Sequence, residues 1–138
     1  MRDIELAKNY LHEQNLSLVI VKDNKVILKE REKGIKPLLK AVLEKKELIK
    51  GGALADKVIG KAAAMLSVSA NINSVYTKLI SYDAIDILKK WNVELEYEKK
   101  VPYILNRDKT GLCPIERLSM EQDNVNILIE DIKGFLKL

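Results

Sequence analysis

The sequence has few of the residues on which metal and redox chemistry depend. Its 138 residues include one Cys and one His. A single Cys cannot form an internal disulfide. A catalytic zinc needs about three protein ligands, normally His, Cys or carboxylate, and one His with one Cys do not supply the usual set. We therefore exclude a conventional catalytic zinc site and predict no bound metal and no cofactor.

Aromatic residues are also scarce, at 5% of the chain, with a single Trp and a single Phe. Nucleic-acid-binding proteins usually combine a dense basic surface with aromatic side chains that stack on bases. Here 24 Lys and Arg residues are interleaved with 20 Asp and Glu residues, which leaves a net charge of +4. This pattern indicates a mixed, solvated surface, and we do not expect nucleic-acid binding.

Long apolar runs are absent as well. No run approaches the roughly 20 residues that span a bilayer, and the first residues lack the apolar core of a signal peptide. We therefore expect no membrane association and a cytoplasmic protein. With 47% hydrophobic residues and no linker or repeat, residues 1–138 are predicted to form one domain.

The periodicity of the apolar residues predicts both helices and strands. The predicted elements are, in order, a helix capped by Asp3, a hairpin of strands 16–21 and 25–29, a helix from Pro37, a helix over 51–66, a strand over 75–80, a helix capped by Ser81, a strand over 93–97, a short helical turn from Pro114 and a final helix capped by Asp123. Strands that alternate with helices imply a mixed sheet covered on both faces. We predict an α/β fold, a three-layer α/β/α sandwich.

The stretch from Gly51 to Leu66 is the predicted centre of function. Gly51 and Gly52 precede an Ala-rich apolar run, which predicts a buried helix with Asp56 and Lys57 in its first turn. The start of a helix favours a carboxylate or a bound anion. The two glycines could cradle a phosphate together with Lys50 or Lys57, or they could form a simple turn. Asp56 is either a ligand anchor and candidate catalytic acid or a residue placed to interact with the helix dipole.

Two short segments lie at positions where a known fold carries its zinc-binding motifs. They are Leu54-Ala55-Asp56 and Ile80-Ser81-Tyr82-Asp83-Ala84. The predicted order of elements resembles the cytidine-deaminase-like fold, in which the buried helix begins with His-Ala-Glu or Cys-Ala-Glu. Leu54 replaces the zinc ligand of that motif. The second motif, Pro-Cys-x-x-Cys, has no metal ligand at the matching place. The resemblance implies a branch of the superfamily without zinc, with a nucleoside-sized pocket, and not a conventional zinc-dependent deaminase.

Four more residues are candidates for ligand contact. Ser81 and Tyr82 occupy the place of the second motif, where a hydroxyl could contact a ligand, although Ser81 also suits a helix cap. Cys113 and Glu116 flank a Pro that begins a helical turn. Cys113 could instead be an ordinary buried Cys, and Glu116 would contribute only if the fold returned it to Asp56.

Two functional hypotheses follow. In the first, the protein binds a nucleoside or nucleotide-like molecule at the start of the Gly51–Leu66 helix, with Asp56 as the polar anchor or acid–base group. In the second, Leu54 and its neighbours fill the pocket that holds the active site in the deaminase-like fold. The protein is then a non-catalytic interaction or assembly protein that self-associates into a homo-oligomer. A third hypothesis is enzyme chemistry that uses the Asp56 carboxylate on a sugar or base.

Overall fold

The computed structural model describes residues 1–138, and its centre is a five-stranded sheet. The strands are β1 (Leu18–Lys22), β2 (Lys25–Glu30), β3 (Ala53–Ile59), β4 (Ser74–Ser81) and β5 (Glu94–Val101). Their order across the sheet is β2-β1-β3-β4-β5. β1 runs antiparallel to both β2 and β3, whereas β3, β4 and β5 are parallel. The sheet is therefore mixed, as the sequence predicted.

Seven helices cover the sheet on both faces. They are α1 (Asp3–Glu13), α2 (Lys36–Glu44), α3 (Lys46–Ile49), α4 (Lys61–Ser69), α5 (Tyr82–Lys90), α6 (Pro114–Ser119) and α7 (Val125–Leu136). α1 packs alone on one face, through Ile4, Ala7 and Leu11. The opposite face carries the larger core, to which α2, α4, α5 and α7 all contribute. The predicted α/β fold with helices on both sides of a mixed sheet is confirmed. None of these helices has the length and apolar composition that crossing a bilayer requires.

The predicted helix over residues 51–66 is wrong, because its first half is strand β3. Leu54 pairs with Ile20 of β1 and with Val75 of β4. Ala53 and Ala55 pack in the α1 layer, while Leu54 packs in the larger core. A strand that is buried on both faces has a nearly continuous apolar sequence, which periodicity cannot distinguish from a buried helix.

The three predicted helix caps have different outcomes. Asp3 does not cap α1, because it lies inside the helix and its carboxylate accepts from the backbone N–H groups of the β1–β2 turn. Ser81 caps α5, because its Oγ accepts a hydrogen bond from the N–H of Ala84 at 3.2 Å. Asp123 does not cap α7; the Asn124 side chain does, accepting from the N–H of Ile127 at 3.0 Å. Asp123 instead lies 2.9 Å from the ammonium of Lys61, which draws it away from the helix start.

The hydrogen-bond ladder between the parallel strands has an aligned gap next to Asp56. Asp56 pairs with Thr77, and the next pair is Val58 with Leu79, so Lys57 and Lys78 are unpaired between β3 and β4. Between β4 and β5 the same gap leaves Lys78 and Glu98 unpaired. The Thr77 hydroxyl donates to the carbonyl of Leu79 at 3.0 Å within this gap. The register is unchanged across the gap, so the pairing of the strands is interrupted only locally, next to the carboxylate.

Gly52 tests whether this segment is a strand packed against its neighbours. A Cβ at Gly52 would lie 2.9 Å from the carbonyl oxygen of Ile49 and 3.0 Å from that of Val21. We expect Gly52→Ala to lower the free energy of unfolding by about 1–3 kcal/mol, measured by urea denaturation. Gly134→Ala is the matched control, since a Cβ there meets nothing within 4 Å. It should raise the free energy of unfolding by about 0.5–1 kcal/mol, because Ala is the better helix former. Equal effects of the two substitutions would contradict the close packing of Gly52.

Candidate functional site

A cavity of about 340 Å³ lies where β3 ends and α4 begins. Small-molecule sites usually have volumes of about 300–1,000 Å³, so the cavity is large enough for a ring system. Its apolar lining includes Ile35, Val58, Ile104 and Ile115, and its polar lining includes Ser17, Asp56, Cys113 and Glu116. Exposed Lys33, Gly34 and Val58 also belong to the wall, so the cavity opens to solvent.

Asp56 places a carboxylate in this cavity. Its Oδ1 accepts a hydrogen bond from the N–H of Val58 at 3.3 Å, and its Oδ2 has no partner in the protein. Burial raises the pKa of Asp56 to about 7, although the backbone N–H groups of Val58 and Lys57 partly offset this effect. The carboxyl is thus able to gain or lose a proton near neutral pH.

The start of α4 contributes two unused donors to the same cavity. Ala62 and Ala63 line the cavity and are almost fully buried. The N–H groups in the first turn of a helix have no acceptor within the helix. Lys61 N–H donates to Glu116, while the N–H groups of Ala62 and Ala63, in the same first turn, have no acceptor within the helix. Their N–H groups can therefore donate to a bound molecule.

Glu116 and Cys113 form the opposite wall. Glu116 is 5% exposed. Its carboxylate accepts from the backbone N–H groups of Lys61 and Ile104. Cys113 is half-buried at the start of α6, and its N–H donates to the carbonyl of Ile104 at 3.0 Å. The segment between β5 and α6 thereby reaches the ends of the central strands.

Four of the residues proposed from the sequence lie together. Asp56, Lys57, Cys113 and Glu116 all line the cavity. The ammonium of Lys57 donates to the Asn15 side chain at 2.8 Å, so it is held near the end of α1. The fold thus returns Glu116 to the neighbourhood of Asp56.

The other four residues lie elsewhere. Gly51 and Gly52 precede β3, whereas Asp56 is its middle residue, and the four residues from Gly52 to Asp56 span about 13 Å. Their N–H groups donate to the carbonyls of Asn71 and Ile49, at 2.8 and 2.9 Å, and so are not free to cradle a phosphate there. Ser81 is buried as the cap of α5, and Tyr82 is 48% exposed; neither lines the cavity.

Sequence reasoning missed several residues of the cavity wall, namely Ser17, Lys33, Gly60, Ala62, Ala63 and Ile104. Gly60 carried a usable signal, since an isolated Gly between an apolar run and an Ala-rich run suits a strand-to-helix junction. Ile104 carried none, because it lies in a segment without regular structure. No three His, Cys, Asp or Glu side chains are grouped so that they could hold a metal ion.

Asp56 should give the protein a characteristic pH dependence of stability. A carboxyl whose pKa is raised on folding stabilises the folded state at pH values below its unfolded pKa, and this contribution is lost as the pH rises through the folded pKa. For Asp56 the window runs from about pH 4 to about pH 7. We expect Asp56→Asn to resemble the wild type at pH 4 and to be more stable at pH 8 by about 2–4 kcal/mol, since the full pKa shift corresponds to about 4 kcal/mol and the partial exposure of Asp56 reduces it.

Urea denaturation at several pH values measures this difference. Asp86→Asn, at an exposed position of α5, is the control and should keep the wild-type profile. A free energy of unfolding that differs between wild type and Asp56→Asn by the same amount at pH 4 and pH 8 would contradict the raised pKa.

The chain matches other proteins in sequence and in structure. It matches the family model of DUF1893, a domain of unknown function, over residues 6–136. No curated protein matches it significantly. The crystal structure of a DUF1893 family protein from Thermotoga maritima superposes with a TM-score of 0.86 at 24% identity, over 96% of this chain and 88% of that chain.

Two deaminases show much weaker structural similarity. One is a diaminohydroxyphosphoribosylaminopyrimidine deaminase/5-amino-6-(5-phosphoribosylamino)uracil reductase from Thermotoga maritima, with a TM-score of 0.47 at 18% identity, over 70% of this chain and 34% of that chain. The other is a dCMP deaminase from the cyanophage S-TIM5, with a TM-score of 0.47 at 16% identity, over 72% of this chain and 94% of that chain. Neither informs the function of this chain. Since the family model spans residues 6–136, the chain belongs to the DUF1893 family.

Proposed function

We propose that the protein binds a nucleoside or a nucleotide-like molecule, with its heterocyclic ring in the cavity beside Asp56. The observation that carries the proposal is the Asp56 carboxyl, which lines an open cavity of about 340 Å³ and has one oxygen without a protein partner. A partly buried carboxyl in a cleft, with a perturbed pKa, is typical of a functional group. Asp56 is thus the polar anchor for the ligand.

The hydrogen-bonding groups of the cavity favour a nucleobase-like edge. Asp56 accepts a hydrogen bond when it is ionised, while Ala62 and Ala63 offer N–H donors. The complementary ligand edge has an N–H group next to a carbonyl oxygen or ring nitrogen. Pyrimidines and purines carry such edges. The apolar side chains of Val58, Ile104 and Ile115 can cover the ring faces.

Charge limits where a phosphate could lie. The Glu116 carboxylate already occupies the N–H of Lys61 at the start of α4, which disfavours a second anion at that helix end. The exposed Lys33 lines the mouth of the cavity and forms no ion pair. A phosphate group would therefore lie at the mouth, near Lys33, rather than at Gly51 and Gly52 beside Lys50.

Proton transfer is a second candidate function. A general acid or base works best when its pKa lies near the working pH, and burial raises the pKa of Asp56 to about 7. The same residue could thus exchange a proton with the bound ring. The alternative of an assembly protein with a filled site has less support, because Leu54 packs in the core and leaves the cavity open.

A thermal-shift screen tests ligand binding. The panel is uridine, cytidine, adenosine, inosine and their 5′-monophosphates, each added to wild type, Asp56→Asn and the surface control Asp86→Asn. A ligand at ten times its dissociation constant stabilises the fold by about 1.4 kcal/mol, or roughly 3–6 °C in melting temperature. We expect this shift in wild type and the control, and its loss in Asp56→Asn. Equal shifts in all three proteins, or no shift with any compound, would contradict the proposal.

A further inference from the structure

One buried carboxylate joins three separate parts of the chain. Glu116 belongs to α6, and its Oε1 accepts from the N–H of Lys61, the first residue of α4, at 3.3 Å. Its Oε2 accepts from the N–H of Ile104, in the segment between β5 and α6. Hydrogen bonds to an ionised acceptor are roughly twice as strong as those between neutral groups. A single side chain therefore ties the wall formed by residues 104–116 to the start of α4.

Gly60 makes this close approach possible. A Cβ at this position would lie 2.9 Å from the Glu116 Oε1 and 3.1 Å from a side-chain carbon of Ile104. Any larger residue would push the carboxylate away from the Lys61 N–H. The absence of a side chain at position 60 is therefore part of the same arrangement.

Lys61 holds the other end of α6. Its ammonium donates to the carbonyl of Met120 at 3.2 Å and to the Asp123 carboxylate at 2.9 Å. The Lys61 side chain is only 10% exposed, and its hydrogen bond and charge lower the pKa of Asp123. Through its backbone and its side chain, Lys61 thus fastens both ends of α6 to α4.

We propose that Glu116 is a positioning residue that latches the 104–116 wall of the cavity, and that release of its carboxylate from Lys61 and Ile104 opens the cavity to solvent. The wall carries Ile104, Cys113 and Ile115, so its displacement uncovers the space beside Asp56. The proposal rests on the proposed function for the use of the cavity. The latch itself is independent of any ligand, and its test contains none.

Cys113 reports on the latch, because it is the only Cys in the chain and lies half-buried in this wall. The measurement is the rate at which 5,5′-dithiobis(2-nitrobenzoic acid) labels the native protein. In Glu116→Gln the side-chain amide nitrogen cannot accept a hydrogen bond, so one of the two tethers is lost. We expect labelling to be about tenfold faster than in wild type, the effect of losing one hydrogen bond to a charged group.

Glu130→Gln is the matched control. Glu130 is an exposed carboxylate that pairs with Lys133 at 3.3 Å on α7 and does not line the cavity. Its labelling rate should equal that of wild type. Equal rates in Glu116→Gln and wild type would overturn the latch. The latch would also be overturned if the labelling rate of Glu116→Gln rose with urea in parallel with the equilibrium constant for global unfolding. The thiol would then be uncovered by unfolding alone.

A second measurement on the wild type covers the case in which Glu116→Gln fails to fold. If the Glu116 carboxylate holds both N–H groups, the same local opening exposes the amide hydrogens of Lys61 and Ile104 to exchange with solvent. We expect the two to show similar free energies of exchange, below that of global unfolding. Exchange of both only through global unfolding would overturn the proposal. Failure of the nucleoside screen together with a rapidly labelled Glu116→Gln would remove the proposed function and keep the latch.

Discussion

Strand β3 lies in the middle of the sheet with helices on both of its faces, and this burial limits what its side chains can be. Ala53 and Ala55 are small enough for α1 to pack closely on one side, while Leu54 fills the core on the other. Asp56 is the only acidic residue of the strand. A carboxylate is costly to bury without a partner. The raised pKa of Asp56 expresses that cost, and the open cavity beside it is the feature that makes the cost tolerable.

The periphery of the fold could be predicted from the sequence more reliably than its centre. The strand over 93–97, at the edge of the sheet, and the helix capped by Ser81 have alternating or amphipathic patterns, because each has one face in a different environment. β3 has no such contrast, since both of its faces are buried. Its alanines also suit a helix, so local pattern favoured the wrong element. Only pairing with Ile20 and Val75, which are distant in sequence, makes this segment a strand.

The residues of the candidate site also differ in how well local sequence could indicate them. Asp56 is the only acid in a long apolar stretch, so it stood out whichever element carried it. Glu116 could be proposed but not placed, because its position depends on a long segment of irregular structure that returns to α4. The glycine pair lies away from the site because the first half of β3 separates it from Asp56 by about 13 Å. Gly60, four residues after Asp56, is the glycine that the site uses.

The two carboxylates of the cavity have different surroundings, and this difference suggests different roles. Both oxygens of Glu116 accept from backbone N–H groups, so this carboxylate joins α6 to the start of α4 and to the segment that contains Ile104. Asp56 has an oxygen free and a pKa near neutrality, so its capacity remains available for a bound molecule. Because Glu116 takes the N–H of Lys61, the donors left at the start of α4 are those of Ala62 and Ala63, on the side that lines the cavity. The latch therefore determines which backbone donors a ligand can meet, and the cavity depends on both acids for separate physical reasons.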